Sequence, residues 1–258
     1  MKECVLLTGA SSGIGYEMAK LLAQKGFDMV LVARNIDKLQ KLKEELEANN
    51  KVKVRVISKD LSDVQNAIAL YHDIKKLGIE ITILINNAGV GEYGDFLQIP
   101  LEKELKMIEL NISSLVALTK LYTTDMKSQN HGRVMNLCSL LSFFPFPYFS
   151  VYAATKAFVL SFTEAIRAEL SDTNITVTAL CPGPTDSAFT TDEMAGTNAY
   201  KLLMLSSPSQ VAKEGIDKLL KGKSTSIIGL QNKILASSPR FSPRWLTTRI
   251  NKFMASKF

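Results

Sequence analysis

The chain has 258 residues, a formal net charge of +6, 46% apolar residues and 22% charged residues. This composition is ordinary for a globular protein and argues against a disordered or fibrous chain. The length suits one α/β domain with a single core, and no apolar run approaches the 18 or more residues of a membrane-spanning helix.

Basic charge is concentrated at one end of the chain. Nine basic and no acidic residues follow Asp217, whereas the preceding part holds slightly more acidic than basic residues. A mildly acidic body argues against a nucleic-acid-binding face. The cysteines, Cys4, Cys138 and Cys181, show no metal-binding or redox spacing and are interpreted as buried reduced thiols. The same spacing leads us to expect no metal site. Because the N-terminus shows no export signal, we expect a cytoplasmic protein.

Strand-like and helix-like segments alternate from the first residues onward. The helical pattern is clear in residues 15–25 and 36–48, where apolar side chains recur on one face. Between such segments lie short β-rich apolar runs, and these predict seven strands: Cys4–Thr8, Phe27–Ala33, Val52–Ser58, Ile81–Asn86, Arg133–Ser139, Ile175–Cys181 and Ser224–Ile228.

This alternation predicts the fold class. Strands separated by helices of this length form βαβ units, whose parallel sheet is covered on both faces. Right-handed crossovers then give an α/β fold, a doubly wound Rossmann domain with a mainly parallel seven-stranded sheet. We predict one such domain over residues 1–230, followed by a basic, helical C-terminal extension over residues 231–258.

A glycine-rich turn joins the first strand to the first helix. Its glycines, Gly9, Gly13 and Gly15, allow a tight turn, close approach of a pyrophosphate and close packing of the helix. The free amides and the positive end of the helix dipole then face the anion. The segment predicts a dinucleotide site that also includes Ser11, Ser12 and Ile14.

The end of the second strand indicates which dinucleotide is bound. NAD sites place an acidic residue there for the ribose 2′-hydroxyl, but this chain has Arg34. A guanidinium suits a 2′-phosphate, so we predict NADP(H) rather than NAD(H). After the third strand, Asp60 and Leu61 are candidates for the adenine contact, although Asp60 could simply begin the next helix at Ser62.

Five separated motifs together resemble the short-chain dehydrogenase/reductase family over residues 3–230. Four of them are the glycine turn from Thr8 to Gly15, the Asn-Asn-Ala-Gly segment from Asn86 to Gly89, the catalytic set, and the Pro-Gly segment from Cys181 to Thr185. The fifth is Arg34 after the second strand, a position at which the chain resembles the NADP-preferring subgroup of the family. Bacterial reductases share several of these features. The catalytic set comprises Asn111, Ser139, Tyr152 and Lys156.

The resemblance implies roles for individual residues. Asn111 would hold a water in a proton relay that links Lys156 to solvent. Asn87, Ala88 and Gly89 would line the cofactor together with Tyr152 and Lys156. From the Pro-Gly segment, we expect Pro182, Gly183 and Thr185 to contact the nicotinamide, with Thr185 donating to its carboxamide.

Spacing supports an acid–base function for two of these residues. Tyr152 and Lys156 lie four residues apart on a predicted helix, residues 151–170, and therefore share one face. A lysine ammonium about 5 Å away should lower the phenol pKa by about two units, and an oxidised nicotinamide would act in the same direction. Tyr152 would then be the general acid in reduction and the base in oxidation, while Ser139 holds the substrate oxygen.

Two segments should form the walls of the substrate crevice at the carboxyl ends of the strands. One is the aromatic loop 140–149, and the other is the stretch 185–205, which resembles the variable lid of the family. Both favour an apolar ketone, aldehyde, oxoacyl chain or steroid-like alcohol as substrate. The aromatic residues could equally pack in the core or in a contact between subunits.

The C-terminal residues 242–256 form a predicted amphipathic helix that begins near Pro243. Such a basic helix could dock on its own domain or a neighbouring subunit, which we favour, or lie weakly on an anionic membrane. By resemblance we expect a homodimer or homotetramer built on helices 111–127 and 151–170. Two other functions are open: a nucleotide-sensing or scaffold protein without turnover, and a membrane-peripheral protein that acts through its tail.

Overall fold

A computed structural model describes residues 3–187 and 189–257. Its centre is one sheet of seven parallel strands in the order β3-β2-β1-β4-β5-β6-β7. The chain starts in the middle of the sheet, builds one half and then crosses to the other, so the predicted doubly wound arrangement is confirmed. The strands are β1 Cys4–Thr8, β2 Asp28–Ala33, β3 Val54–Ser58, β4 Ile83–Asn86, β5 Gly132–Leu137, β6 Ile175–Cys181 and β7 Thr225–Ile227.

Helices cover both faces of the sheet because successive strand residues point in opposite directions. Leu7 and Leu31 belong to a core on one face with residues of three helices, whereas Leu6 and Val30 belong to a second core on the other face. The helices are α1 Gly13–Gln24, α2 Ile36–Asn49, α3 Val64–Lys76, α4 Leu101–Ile108, α5 Leu115–Gln129, α6 Ser150–Glu169, α7 Asp192–Ala195, α8 Asn198–Leu202, α9 Pro208–Leu220, α10 Leu230–Ser237 and α11 Arg244–Ala255.

Two helical boundaries differ from the sequence pattern. The segment from Leu101 to Gln129 includes a π-helical turn, Glu109–Ser114, between α4 and α5. Further upstream, the predicted helix cap at Ser62 is wrong by one residue: Asp63 is the N-cap of α3, and its carboxylate accepts from the Gln65 amide at 2.8 Å. An aspartate side chain at this position satisfies an amide that has no partner within the helix.

The C-terminal helix α11 packs on the rest of the protein. The Asn251 amide donates to the Pro145 carbonyl at 3.0 Å, and the Asn198 amide donates to the Phe253 carbonyl at 2.8 Å. Tyr93 donates to the Ala255 carbonyl at 2.9 Å, and Ala255 is fully buried. Docking of the tail helix on its own domain, the alternative favoured from the sequence, is therefore observed.

No helix within the described ranges is both long enough and apolar enough to cross a bilayer.

Candidate active site

The glycine turn after β1 has the geometry of an anion cradle. Gly9 and Gly13 have φ angles of +69° and +57°, which side-chain-bearing residues rarely adopt. A Cβ atom on Gly15 would lie 2.3 Å from the Gly9 carbonyl oxygen. Ser12 is the N-cap of α1 but makes no side-chain cap hydrogen bond, so the first amides of the helix remain available to an anion.

Asn87 and Thr8 hold this turn in place. The Asn87 amide donates to the carbonyl oxygens of Thr8 and Gly9 at 2.9 and 3.0 Å. The Thr8 hydroxyl oxygen accepts from the backbone amides of Asn87 and Ala88, both at 3.0 Å. The Asn-Asn-Ala-Gly segment after β4 therefore supports the phosphate turn from the neighbouring strand. Asn86 points elsewhere, into a buried network with Asn136.

At the far end of the cradle, Arg34 lies beside a second basic residue. Both Arg34 and Lys38 line the cavity, and Asn35 caps α2 by accepting from the Lys38 amide at 2.9 Å. This cap places Lys38 one turn into α2, on the same wall as Arg34. Lys38 was not among the predicted site residues, although its position in the first turn after Arg34 was a usable signal.

Asp60 and Leu61 form the opposite wall at this end. One Asp60 oxygen accepts from the amide and the hydroxyl of Ser62, at 3.0 and 2.8 Å. These hydrogen bonds, the backbone one first, lower the pKa of Asp60, and the Arg34 charge contributes in the same direction. Asp60 is thus an anionic turn residue, and its contact with adenine stays a prediction. Lys59 also lines the cavity, but its ammonium is paired with Asp73 at 2.8 Å.

Tyr152 and Lys156 lie one turn apart on α6, below the end of β5. The Lys156 ammonium is 5.8 Å from the centre of the Tyr152 ring and donates to the Leu137 carbonyl at 2.7 Å. Ser139 follows β5, and its hydroxyl lies close enough to the Tyr152 side chain to act on the pKa of the phenol. Its position is set by a capping box, in which its hydroxyl accepts from the Leu141 amide while Ser142 accepts from the Ser139 amide.

Burial controls the protonation of this pair. It raises the pKa of Tyr152 well above its ordinary value, although the nearby Ser139 hydroxyl acts in the opposite direction. It lowers the pKa of Lys156 to about 8. The expectation that Lys156 lowers the phenol pKa is therefore wrong for the side chains by themselves. Removing two groups from water favours the neutral form of each, and this cost exceeds their mutual attraction.

Asn111 lies in the π-helical turn between α4 and α5 and is buried. Its amide donates to the Val90 carbonyl at 2.9 Å and to the Thr155 hydroxyl at 3.1 Å, while its carbonyl oxygen accepts from the Val90 amide. A π-helical turn within an α-helix is common at functional sites. A Cβ atom on Gly89 would lie 3.2 Å from Asn111 Oδ1 and 3.4 Å from Lys156 Nζ. Gly89 therefore packs closely against both side chains.

The Pro-Gly segment after β6 completes this end of the site. The Leu140 amide donates to the Pro182 carbonyl at 2.7 Å, which joins the segment to the loop after Ser139. A Cβ atom on Gly183 would lie 2.3 Å from the Asn232 amide nitrogen on α10, so only glycine fits. The buried Thr185 donates to the Gly183 carbonyl at 3.0 Å. Its predicted contact with a nicotinamide carboxamide stays a prediction.

One continuous cavity of about 650 Å³ joins the glycine turn, the basic end and the catalytic residues Ser139, Tyr152 and Lys156. It extends from the glycine turn past Arg34 and the catalytic set into an apolar chamber. Of the residues predicted to bind cofactor or substrate, those that line this cavity are Gly9, Ser11, Ser12, Gly13, Ile14, Gly15, Arg34, Asp60, Leu61, Asn87, Ala88, Gly89, Ser139, Tyr152, Lys156, Pro182, Gly183 and Thr185. Asn111 does not line the cavity, and its proposed part in a proton relay stays a prediction.

Aromatic rings form much of the chamber. The rings of Phe144, Phe146 and Phe149 follow one another at centroid distances of 6.2 and 5.9 Å, and Tyr152 lies 6.2 Å from Phe149. All of these side chains line the cavity. The aromatic loop predicted from the sequence thus faces the site, and its Phe146 and Phe149 also pack into a local core.

The lid and the tail helix close the chamber. The segment 185–205 forms α7 and α8, with Phe189, Tyr200 and Leu203 facing the cavity; Ala188 lies outside the described residues. The C-terminal region contributes further residues to the cavity wall that were not predicted from the sequence. They are Leu235, Ser238, Ser242, Thr247, Ile250, Asn251 and Met254. Nothing in the helical pattern indicated which of its faces would meet the site.

Comparison with known proteins shows the family. The family described as short chain dehydrogenase matches residues 3–198 of this chain. The chain belongs to the short-chain dehydrogenase family. Human 17-beta-hydroxysteroid dehydrogenase type 3 is 30% identical over 250 residues, which cover 95% of this chain and 77% of the human protein. Very-long-chain 3-oxoacyl-CoA reductase-A of Danio rerio is 36% identical over 183 residues, or 69% of this chain, and the match spans 56% of that protein.

A solved structure confirms the fold of this short-chain dehydrogenase. A short-chain dehydrogenase from Sphingobium yanoikuyae, in complex with NADPH, superposes with a TM-score of 0.82 at 30% identity and covers 92% of this chain and 93% of its own. The protein is therefore an oxidoreductase of carbonyl and alcohol groups. The glycine turn, with its positive φ angles and available helix amides, fits a dinucleotide, as such an enzyme requires.

Proposed function

We propose that this short-chain dehydrogenase is an NADP(H)-dependent oxidoreductase that interconverts a bulky apolar ketone and its secondary alcohol. One observation carries the proposal: Ser139 and Tyr152 lie in the same cavity as the glycine turn, between that turn and an apolar, aromatic chamber. This arrangement places a proton donor next to a cofactor on one side and a large apolar substrate on the other.

Each side chain has a role that its geometry supports. When bound, the nicotinamide supplies or accepts a hydride. Tyr152 is protonated at neutral pH, as an ordinary phenol is, and burial raises its pKa further. It therefore holds the proton that a carbonyl oxygen takes up during reduction. Ser139 lines the same cavity as Tyr152 and can hold the same oxygen by a hydrogen bond. Lys156, with a pKa of about 8, can return a proton to Tyr152, and the buried Asn111 positions the relay behind it.

The choice of NADP(H) rests on the basic pair at the end of β2. Arg34 and Lys38 both line the cavity where a ribose 2′-substituent would lie, and Asp60 on the opposite wall is engaged with Ser62. A guanidinium with a neighbouring ammonium stabilises a phosphate far more than a hydroxyl. The bound NADPH of the Sphingobium relative supports this assignment.

The chamber indicates the class of substrate. Its wall includes Leu141, Phe144, Phe146, Phe149 and Leu203, with hydroxyl and amide groups contributed from the tail at one side. Such a wall favours an extended apolar body with a few polar groups. Relatives named for hydroxysteroids and very-long-chain 3-oxoacyl compounds have substrates of this shape, which supports a steroid-like or long-chain ketone here.

A direct test compares Tyr152→Phe with Tyr148→Phe. The first variant lacks the proton donor, so we expect kcat for a bulky ketone with NADPH to fall by about 10²- to 10⁴-fold while NADPH binding is retained. Tyr148 lies four residues earlier, before α6 begins at Ser150, and does not line the cavity, so its variant should keep activity. Full activity of Tyr152→Phe would contradict the proposed mechanism, and activity with NADH alone would contradict the cofactor assignment.

We also propose a homodimer or homotetramer built on the helices α4, α5 and α6. Leu101, Leu105 and Ile108 on α4 are exposed at helical spacing, and α4 packs against α6, where Phe158 is also exposed. Exposed apolar side chains on neighbouring helices are typical of a contact between subunits. The three free thiols support the expected cytoplasmic location, which fractionation of cells that express the chain would test.

A further inference from the structure

The outer surface of the C-terminal region combines large exposed apolar side chains with basic ones. Phe241 is 88% exposed and Trp245 is 67% exposed, and Ile234 and Phe253 are exposed as well. Arg249 is exposed between Trp245 and Phe253 on the same side of α11, and Arg244 is exposed at the start of that helix. We call Ile234, Phe241, Arg244, Trp245, Arg249 and Phe253 the basic–apolar surface. Exposed apolar groups of this size are costly in water unless they have a partner.

The helix α11 shows why this surface faces outward. Its buried residues, Thr247, Asn251 and Ala255, recur every four positions and dock on the domain. The opposite face therefore presents Trp245, Arg249 and Phe253, which are separated by four residues each, with basic and apolar side chains interleaved. Helix packing is already satisfied by the buried face, so the exposed apolar side chains are not needed for it.

We propose that the basic–apolar surface binds the surface of an anionic lipid bilayer. Its charge has one sign, because no acidic residue follows Asp217 in the chain. Basic side chains attract anionic headgroups while apolar and tryptophan side chains enter the interfacial region. A second copy of this chain fits less well, since a two-fold contact would bring this surface against itself and place like charges together.

The same elements connect this surface to the substrate chamber. Ile250 and Met254 on α11 and Leu235 on α10 line the cavity, while Trp245, Phe253 and Ile234 lie on the outside of the same two helices. A bilayer against the basic–apolar surface would lie beside the apolar end of the cavity. A substrate dissolved in lipid could then enter with little exposure to water. This last step rests on the proposed function, whereas binding to the bilayer does not.

The only tryptophan of the chain, Trp245, gives a direct readout. The full-length protein is titrated with vesicles of phosphatidylcholine and phosphatidylglycerol, and separately with phosphatidylcholine alone. We expect a blue shift of the emission and co-flotation with the anionic vesicles, both reduced by 0.5 M NaCl because salt screens the charges. Absence of binding to anionic vesicles, or equal binding to neutral ones, overturns the proposal.

Two variants and a matched control locate the contact. Arg244→Glu/Arg249→Glu should weaken partitioning into anionic vesicles by at least about 30-fold, since each basic residue contributes about a factor of five. Phe241→Ser should weaken it as well, because it removes a large apolar side chain from the contact. Lys41→Glu/Lys76→Glu changes two exposed lysines on α2 and α3 and should bind like the wild type.

Other outcomes are decisive too. Binding by the arginine variant equal to that of the wild type overturns the proposal. So does a fall in molecular mass by light scattering in Phe241→Ser without lipid, because it assigns the surface to a second copy. None of the substituted residues lines the cavity, so turnover of a water-soluble ketone should be unchanged in every variant. A protein that binds vesicles but lacks turnover would overturn the proposed function alone.

Discussion

The position and the charge of Lys156 oppose each other, because the burial that its role requires disfavours the charged ammonium. Lys156 must lie close to Tyr152 in a buried site, and that burial lowers its own pKa to about 8. The ammonium retains a hydrogen bond to the Leu137 carbonyl, which stabilises its charged form only in part. A lysine that titrates near neutrality can exchange a proton during turnover, whereas an exposed lysine near its ordinary pKa could not.

This lowered pKa predicts a pH-dependent stability. Between pH 8 and about 10 the unfolded chain binds the Lys156 proton and the folded protein does not, so stability rises with pH. Below pH 8 the full cost of about 3 kcal/mol is present. The raised pKa of Tyr152 acts only above its ordinary value and leaves this window unaffected.

Urea unfolding of the nucleotide-free protein at pH 7.5 and 9.5 measures the effect. Lys156→Met removes the titrating group, so its stability relative to the wild type should fall by about 2 kcal/mol between these pH values. Lys41→Met, on the exposed side of α2, controls for loss of a lysine. An unchanged difference between wild type and Lys156→Met would show that the buried ammonium carries no such cost.

We expect Arg34 to determine the preference of the protein for NADPH over NADH. Arg34→Ala should weaken NADPH binding by about 10- to 100-fold and leave NADH binding nearly unchanged, because one charge-assisted contact is worth about 1.5–3 kcal/mol. Thermal unfolding with either nucleotide measures this, since the tighter ligand raises the midpoint more. Arg55→Ala, on the exposed β3, is the matched control. Equal shifts by NADPH and NADH in the wild type would argue against a 2′-phosphate site.

The contribution of the helix α11 to the substrate chamber could not be predicted from the sequence. It is far in the chain from Tyr152, yet its Asn251 and Met254 line the same cavity. The helix is held by hydrogen bonds to the loop after Ser139 and to α8 rather than by the sheet. Its position therefore couples three elements that surround the substrate, and the tail is part of the binding chamber.

Asn251→Ala tests this coupling. The Pro145 carbonyl would lose its donor, which should cost about 1 kcal/mol of stability and loosen the wall of the chamber. We expect KM for a bulky ketone to rise while kcat for a small ketone is retained. Thr248→Ala is the control, since its hydroxyl bonds only to the Arg244 carbonyl within the helix. Identical kinetics of the two variants with the bulky ketone would mean that α11 does not shape the site.

Two faces of the molecule combine exposed apolar side chains with different charged neighbours. One is formed by α4 and α6, where Leu105 and Phe158 are exposed, and the stacked rings of Phe158 and Phe162 are 6.1 Å apart. The other is the basic–apolar surface, whose charged side chains are all basic, whereas α4 exposes Glu102 together with Lys103 and Lys106. This difference in charge is the reason to assign the first face to another subunit and the second to lipid.

The assignment of the first face is tested by mass. Light scattering of the wild type should give at least twice the 28.5 kDa of one chain. Leu105→Glu should shift the population toward 28.5 kDa, because a buried unpaired carboxylate is costly in an interface. Leu77→Glu changes a leucine exposed at the end of α3 and should keep the oligomer. A monomeric wild type, or an oligomeric Leu105→Glu, would contradict the assignment.

The order of strands and helices, the glycine turn and the residues Ser139, Tyr152 and Lys156 could all be predicted from the sequence. Each depends on local information: period of hydrophobicity, glycine where φ is positive, and side chains one helical turn apart. The partnership of Arg34 with Lys38, the wall formed by α11 and the protonation of Tyr152 and Lys156 could not. They depend on which distant segments meet and how much water they exclude, and only tertiary packing decides these.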